Sequence, residues 1–250
     1  MRRSLPFLII AAVLIIGSVS ALLLYRSKNS STTPLKIAAG KPGAEPAHVR
    51  GPENGKVTLE EFGDFQCPPC GILSKTLQKV EHDYKDSLRV VFREFPLGMH
   101  AHAQTAACAA EAAGLQGKFW EMHDLLFEHA LNWSKEPPKT FVRVVGPNGQ
   151  ADENASGVRA LFSGYAKGLG LDVERFQKDL DTEEVKARIR TDQERAASMG
   201  IDRTPVVLID GVQIAFGSQN ERALHDIIDA ALKGKPPVPD PTPTPPGQPK

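Results

Sequence analysis

The chain has 250 residues, and its 30 basic residues equal its 30 acidic ones. This balance indicates no basic surface for nucleic acid, and three cysteines are too few for a disulfide scaffold or a four-cysteine zinc site. The length allows one large domain or two small ones. With a hydrophobic start and a proline-rich end set aside, a single domain from about His48 to Gly234 is left, large enough to form a core without disulfide staples.

Taken from the start, Met1-Arg2-Arg3 is basic and an apolar run extends from Leu5 to Leu24, broken only by Pro6, Gly17, Ser18 and Ser20. About 20 apolar residues span a bilayer as a helix. Two readings follow: an uncleaved signal anchor, or a signal peptide with small residues for cleavage at Val19-Ser20-Ala21. The continuation through Leu22-Leu23-Leu24 favours the anchor. Arg26 and Lys28 offset Arg2 and Arg3, so charge does not decide. Either reading sends the chain into an export pathway, with the domain on the extracytoplasmic (periplasmic) side, where disulfides persist. Residues 25–47, rich in Ser, Thr, Pro, Gly and Lys, are expected to be a flexible linker.

Val57 to Phe62 alternates as a strand does. A helix is expected from Pro68 to Tyr84, and Leu88 to Phe95 reads as a second strand. A mostly helical stretch follows. Gln104 to Leu115 is alanine-rich, and Phe119 to Ala130 carries a wide apolar face. Trp133 to Asn154 lacks periodicity and reads as a long loop. Ser156 to Lys167, Val173 to Leu180 and Thr182 to Met199 read as helices, the last opened by Thr182 with Glu183 and Glu184. Pro205 to Ile209 and Val212 to Phe216 flank Asp210-Gly211, a strong hairpin signal. A last helix, Asn220 to Leu232, is expected to close at Gly234. The tail, 235–250, has proline at nearly every second position and is expected to be extended and disordered.

Chemistry concentrates in Cys67-Pro68-Pro69-Cys70, where a strand hands over to a helix. Only a thiolate attacks a disulfide, and the positive end of the helix dipole favours that form at Cys67. Both intervening residues lack N–H, so the Cys70 N–H is the nearest local donor to the Cys67 sulfur. A structural disulfide, half a zinc site, or a soft Cu(I) site of a metallochaperone are the other uses of such a pair. Cys108 sits among alanines, where cysteine serves as a small hydrophobe in close helix packing. His100, His102, His123 and His129 invite a metal reading, but no carboxylate or cysteine completes a ligand set.

The segments His48 to Gly51, Val57 to Cys70, Gln104 to Trp120 and Ile201 to Phe216 together resemble the DsbA-like branch of the thioredoxin-fold thiol:disulfide oxidoreductases. The resemblance covers nearly all of the domain and neither terminus. It implies an α/β thioredoxin fold with an inserted helical subdomain over about 98–200. It also implies exchange of disulfides with protein or peptide substrates, a possible membrane redox partner, and no cofactor beyond the redox-active Cys67–Cys70 disulfide. Cys67 would attack and Cys70 resolve, with Pro68 and Pro69 completing the motif. Pro205 would be the cis-proline facing the disulfide, with Thr204 beside it offering its backbone to a substrate. Glu61 would be the buried acid that takes the proton from Cys70. Since Glu60 is its neighbour, one of the two is expected to face outward. Asp64 is a lesser candidate for that acid and reads rather as a turn or capping residue. Pro69 stands where the strong oxidants of that family carry histidine, so oxidase and reductase or isomerase directions both remain open.

Overall fold

The computed structural model describes residues 40–134 and 157–238. The apolar start, most of the expected linker, the loop beyond Ser134 and the tail beyond Val238 lie outside the described residues.

Five strands form one mixed sheet: β1 (His48–Arg50), β2 (Val57–Gly63), β3 (Leu88–Glu94), β4 (Val206–Ile209) and β5 (Val212–Gln213), in the order β1-β3-β2-β4-β5. β2 and β3 are parallel, and the remaining pairs are antiparallel. The parallel pair needs a crossover, supplied by α1 (Pro68–Asp83). A helical group follows β3: α2 (Ala103–Gly114), α3 (Phe119–Glu128), α4 (Ala130–Trp133), α5 (Val158–Gly168), α6 (Val173–Asp179) and α7 (Glu183–Ser198). After the β4–β5 hairpin, a 3₁₀ turn (Phe216–Ser218) leads into α8 (Glu221–Leu232).

Alternation along β2 sorts its side chains between two faces. Leu59 joins Leu73, Leu77, Val207, Leu224 and Ile228 in the core under α1 and α8. Phe62 turns the other way, against Ala196, Ile201 and Leu208 beneath α7. The largest apolar cluster lies in the helical group, around Phe65, Phe92, Phe127, Trp133 and Phe162. Each fully buried side chain of this kind contributes about 1.5–3 kcal/mol. α2 is buried nearly all round, because its alanines let neighbours approach closely.

Helix ends follow from their capping residues. Thr182 accepts a hydrogen bond from the Val185 N–H, Asp172 from Arg175 and Asn220 from Ala223. Gly234, at φ 73°, closes α8: its own N–H bonds to Ala231 O and the Lys235 N–H bonds to Ala230 O. In the β4–β5 hairpin both Asp210 (φ 49°) and Gly211 (φ 78°) are left-handed, as a twist-matched two-residue turn requires.

Four expectations are corrected. Residues 40–47 are not all linker: Ala44 is buried, its N–H donates to Asp192 of α7, its O accepts from Arg93, and the Lys41 N–H donates to Ser198. A Gly/Pro-rich composition does not prevent docking when backbone groups find such partners. Trp133 is not loop. It ends α4 fully buried, with its indole N–H on Leu126 O and its ring edge-on to Phe162. The second strand of the hairpin ends at Gln213, since the chain must turn after Ile214 to reach the Asn220 cap. Glu60 does not face outward: it is buried under α7, where Arg195 and Arg93 both donate to its carboxylate.

Candidate active site

Cys67 caps the N-terminus of α1 in an extended conformation (φ −75°, ψ 118°), and Pro68 and Pro69 fill the first two helical positions. Proline suits these positions, where N–H groups have no intrahelical acceptor and φ near −65° is wanted. The first helical hydrogen bond runs from Gly71 N–H to Cys67 O, at 3.2 Å. The three described cysteines, Cys67, Cys70 and Cys108, are thiols in this structure.

The two sulfurs are treated oppositely. Cys67 retains 6% of its surface and Cys70 none. The Cys67 thiol is brought down from 9.0 to about 6, first by the Cys70 thiol as donor, then by the Thr204 hydroxyl and the Cys70 N–H, against the opposing effects of burial and the Asp64 carboxylate. Burial, the same pairing with Cys67 and the nearby Glu61 push Cys70 well above 9.0. When protonated, the Cys67 thiol faces the Thr204 carbonyl oxygen at 3.6 Å. The buried Thr204 hydroxyl has no other hydrogen-bond partner among the described residues, so it can turn to the ionised sulfur.

The Thr204–Pro205 peptide is cis. Pro205 precedes β4, whose Val206 pairs with Phe62 of β2. Behind the cysteines Glu61 lies on the α1 side of β2, 2% exposed, and its Oε1 has no hydrogen-bond partner among the described residues. Burial, with the charges of Glu81 and Cys67, raises this carboxyl from 4.5 to about 8.

The sequence profile described as Thioredoxin matches residues 44–230. The chain belongs to the thioredoxin family. Within that family its fold takes the DsbA-like form, in which a helical group interrupts the thioredoxin core. A thioredoxin-like oxidoreductase from Silicibacter pomeroyi is 27% identical, with a TM-score of 0.56 over 75% of this chain and 92% of that one. The alpha-DsbA1 of Wolbachia pipientis shares the fold at 16% identity and a TM-score of 0.57, over 76% and 92% of the two chains. Among curated sequences, a Na(+)/H(+) antiporter NhaA 1 of Salinispora arenicola is 37% identical over 188 residues. The chain spans only 25% of that protein's length, so the name describes a much larger molecule.

In this thioredoxin-family domain the structure brings Cys67, Cys70, Thr204 and Pro205 together and sets Glu61 behind them. Asp64 does more than turn the chain: it is fully buried and takes hydrogen bonds from three partners, one of them His100. Sequence reading passed over this pair because the two residues are far apart along the chain. Gln66 was also missed. It accepts from the His102 N–H and donates to Ser134 O, tying the cysteine loop to the helical group on both sides. A polar residue next to the first cysteine was the signal available. Glu94 had no signal. It is buried at the end of β3 with both oxygens unpartnered among the described residues. Among those same residues no group of three or more histidine, cysteine and acidic side chains is arranged to hold a metal ion.

Proposed function

We propose that this chain is a thiol:disulfide oxidoreductase that exchanges disulfides with protein substrates through Cys67 and Cys70. The observation that carries the reading is the asymmetry of the two sulfurs: Cys67 keeps a small exposed surface at the start of α1 and has its thiol drawn down, while Cys70 is wholly enclosed and has its thiol pushed up. In the oxidising direction a substrate thiolate attacks Cys67 and the Cys67–Cys70 bond breaks. The electron pair goes to the Cys70 sulfur, which takes up a proton. The second substrate thiolate then attacks the substrate sulfur of the mixed disulfide, Cys67 leaves as thiolate, and the substrate is oxidised while the protein is reduced. The leaving group is the more acidic thiol, as exchange kinetics favour. Run in reverse, Cys67 attacks and Cys70 resolves. Glu61, held near 8, then receives the Cys70 proton when it is ionised.

Three large exposed apolar side chains suit an unfolded polypeptide substrate: Ile72 near the start of α1, Met99 beside His100, and Phe216, which opens the 3₁₀ turn after the β4–β5 hairpin. The backbone of Thr204, followed by a residue without N–H, is open to pairing with an extended peptide. An extracytoplasmic setting fits the basic start and the apolar run Leu5 to Leu24. Among the described residues no helix is long and apolar enough to cross a membrane, so anchoring and a membrane redox partner rest on that run alone.

A reductase or isomerase direction has specific support. Cys67 at about 6 is closer to thioredoxin, near 7, than to DsbA, near 3.5. A less stabilised thiolate makes a weaker oxidant. Dithiol oxidation and insulin reduction by the purified chain test the activity, and Cys67→Ser is expected to abolish both. Full turnover by Cys67→Ser would overturn the assignment. Equilibration with glutathione buffers then gives the direction. A potential near −270 mV would place it with thioredoxin, and one near −120 mV with DsbA.

A further inference from the structure

The loop that carries Cys67 hangs on one anion. Asp64 leaves the end of β2 with its side chain wholly buried. Its Oδ1 accepts from the Gln66 N–H at 2.7 Å. Its Oδ2 accepts from the Leu97 N–H at 2.9 Å and from the His100 imidazole, through Nδ1, at 2.7 Å. Its backbone oxygen accepts from the Cys67 N–H at 3.0 Å. These bonds set the turn that delivers Cys67 to the start of α1, but the same carboxylate works against a second anion at Cys67. A neutral residue would avoid that conflict and lose the acceptor capacity that holds the loop.

We propose that Asp64 and His100 act as one hydrogen-bonded positioning pair for the redox site, the imidazole N–H drawing off the charge of the anion that anchors the loop. The proposal rests on the redox reading of Cys67. His100 lies in the turn before α2, and its side chain is 19% exposed while that of Asp64 is wholly buried. The Cys70 thiol and the charges of Glu61 and Asp64 act on Cys67, and Asp64 in turn acts on Glu94 and is bonded to His100. Of these groups His100 is the one that donates a side-chain hydrogen bond to Asp64.

The test is the midpoint of Cys67 ionisation in the reduced protein, read by ultraviolet absorbance of the thiolate and by the pH dependence of alkylation. His100→Ala leaves the carboxylate without its imidazole and is expected to move the midpoint up by about one pH unit. Asp64→Asn removes the charge and is expected to move it down. His100→Asn, which keeps a side-chain N–H near the Nδ1 position, is expected to restore part of the loss. A purely structural role would loosen the loop in both variants and move both midpoints the same way. That result, or an unchanged midpoint in His100→Ala, would overturn the proposal. Should Asp64→Asn fail to fold, His100→Ala against His100→Asn, both at a partly exposed position, decides alone. No substrate enters the measurement. The pair can therefore fail while turnover persists, and turnover can fail while the midpoints move as expected.

Discussion

The Cys70 thiol is the largest single cause of the acidity of Cys67, and Cys70→Ala isolates it. Bringing a thiol from 9.0 to about 6 stabilises its anion by about 4 kcal/mol, at about 1.4 kcal/mol per pH unit. A hydrogen bond to a charged group contributes about 1.5–3 kcal/mol. Losing the Cys70 donor should therefore raise the Cys67 midpoint by about one to two pH units. At pH 7 the wild-type sulfur is about nine-tenths ionised, and the Cys70→Ala sulfur should be half ionised or less. Cys70→Ser keeps an O–H donor of similar reach and should stay near the wild-type midpoint. The assay is the rate of iodoacetamide alkylation of Cys67 against pH, with the site confirmed by mass spectrometry because Cys108 is also a thiol. A Cys70→Ala midpoint equal to that of Cys70→Ser would show that the helix terminus and Thr204 suffice, and would refute the donor argument.

Two further outcomes follow from buried carboxyls. Glu61 is mostly protonated at neutral pH and ionises near 8, so the resolving attack by Cys70 should accelerate as pH rises toward that value. Glu61→Gln should slow that step by about 100-fold and flatten its pH profile, as read by release of a trapped mixed disulfide in stopped flow. Glu94 is held well above its ordinary 4.5 by burial and by the charges of Glu111, Asp192 and Asp64. Its neutral form is the one the fold prefers, so this preference is fully present below pH 4.5 and is lost as pH rises toward the folded-state value. Relative to Glu94→Gln, the wild type should lose up to about 1.4 kcal/mol per pH unit above 4.5 and show no change of the difference below it. Urea titrations at pH 4 and pH 8 measure this, and parallel curves would count against a buried neutral Glu94.

The elements were legible where a local rule governs them. Asp210-Gly211 dictates a hairpin because both positions need left-handed backbone. Thr182 and Asn220 announce helix starts because their side chains supply the missing acceptors. Pro68 and Pro69 mark the first turn of a helix because nothing else about them suits its interior. Legibility failed where partners come from afar. Alternation placed Glu60 and Glu61 on opposite faces of β2, but it could not say that both faces are covered. Trp133 lacks periodic neighbours, and only its packing against Leu126 of α3 and Phe162 of α5 accounts for its burial.

What the amino-acid order determined by itself is the redox pair: two thiols one helical turn apart, with no N–H between them except that of Cys70, at a strand-to-helix junction. What only the tertiary structure decided is how that pair is tuned. Thr204 reaches Cys67 from the segment before β4, Glu61 stands behind Cys70 from β2, and His100 meets Asp64 from the turn before α2. Each of these contacts joins residues distant in the chain, and the acidity of a sulfur depends on the charges and donors around it in space, which chain order does not record.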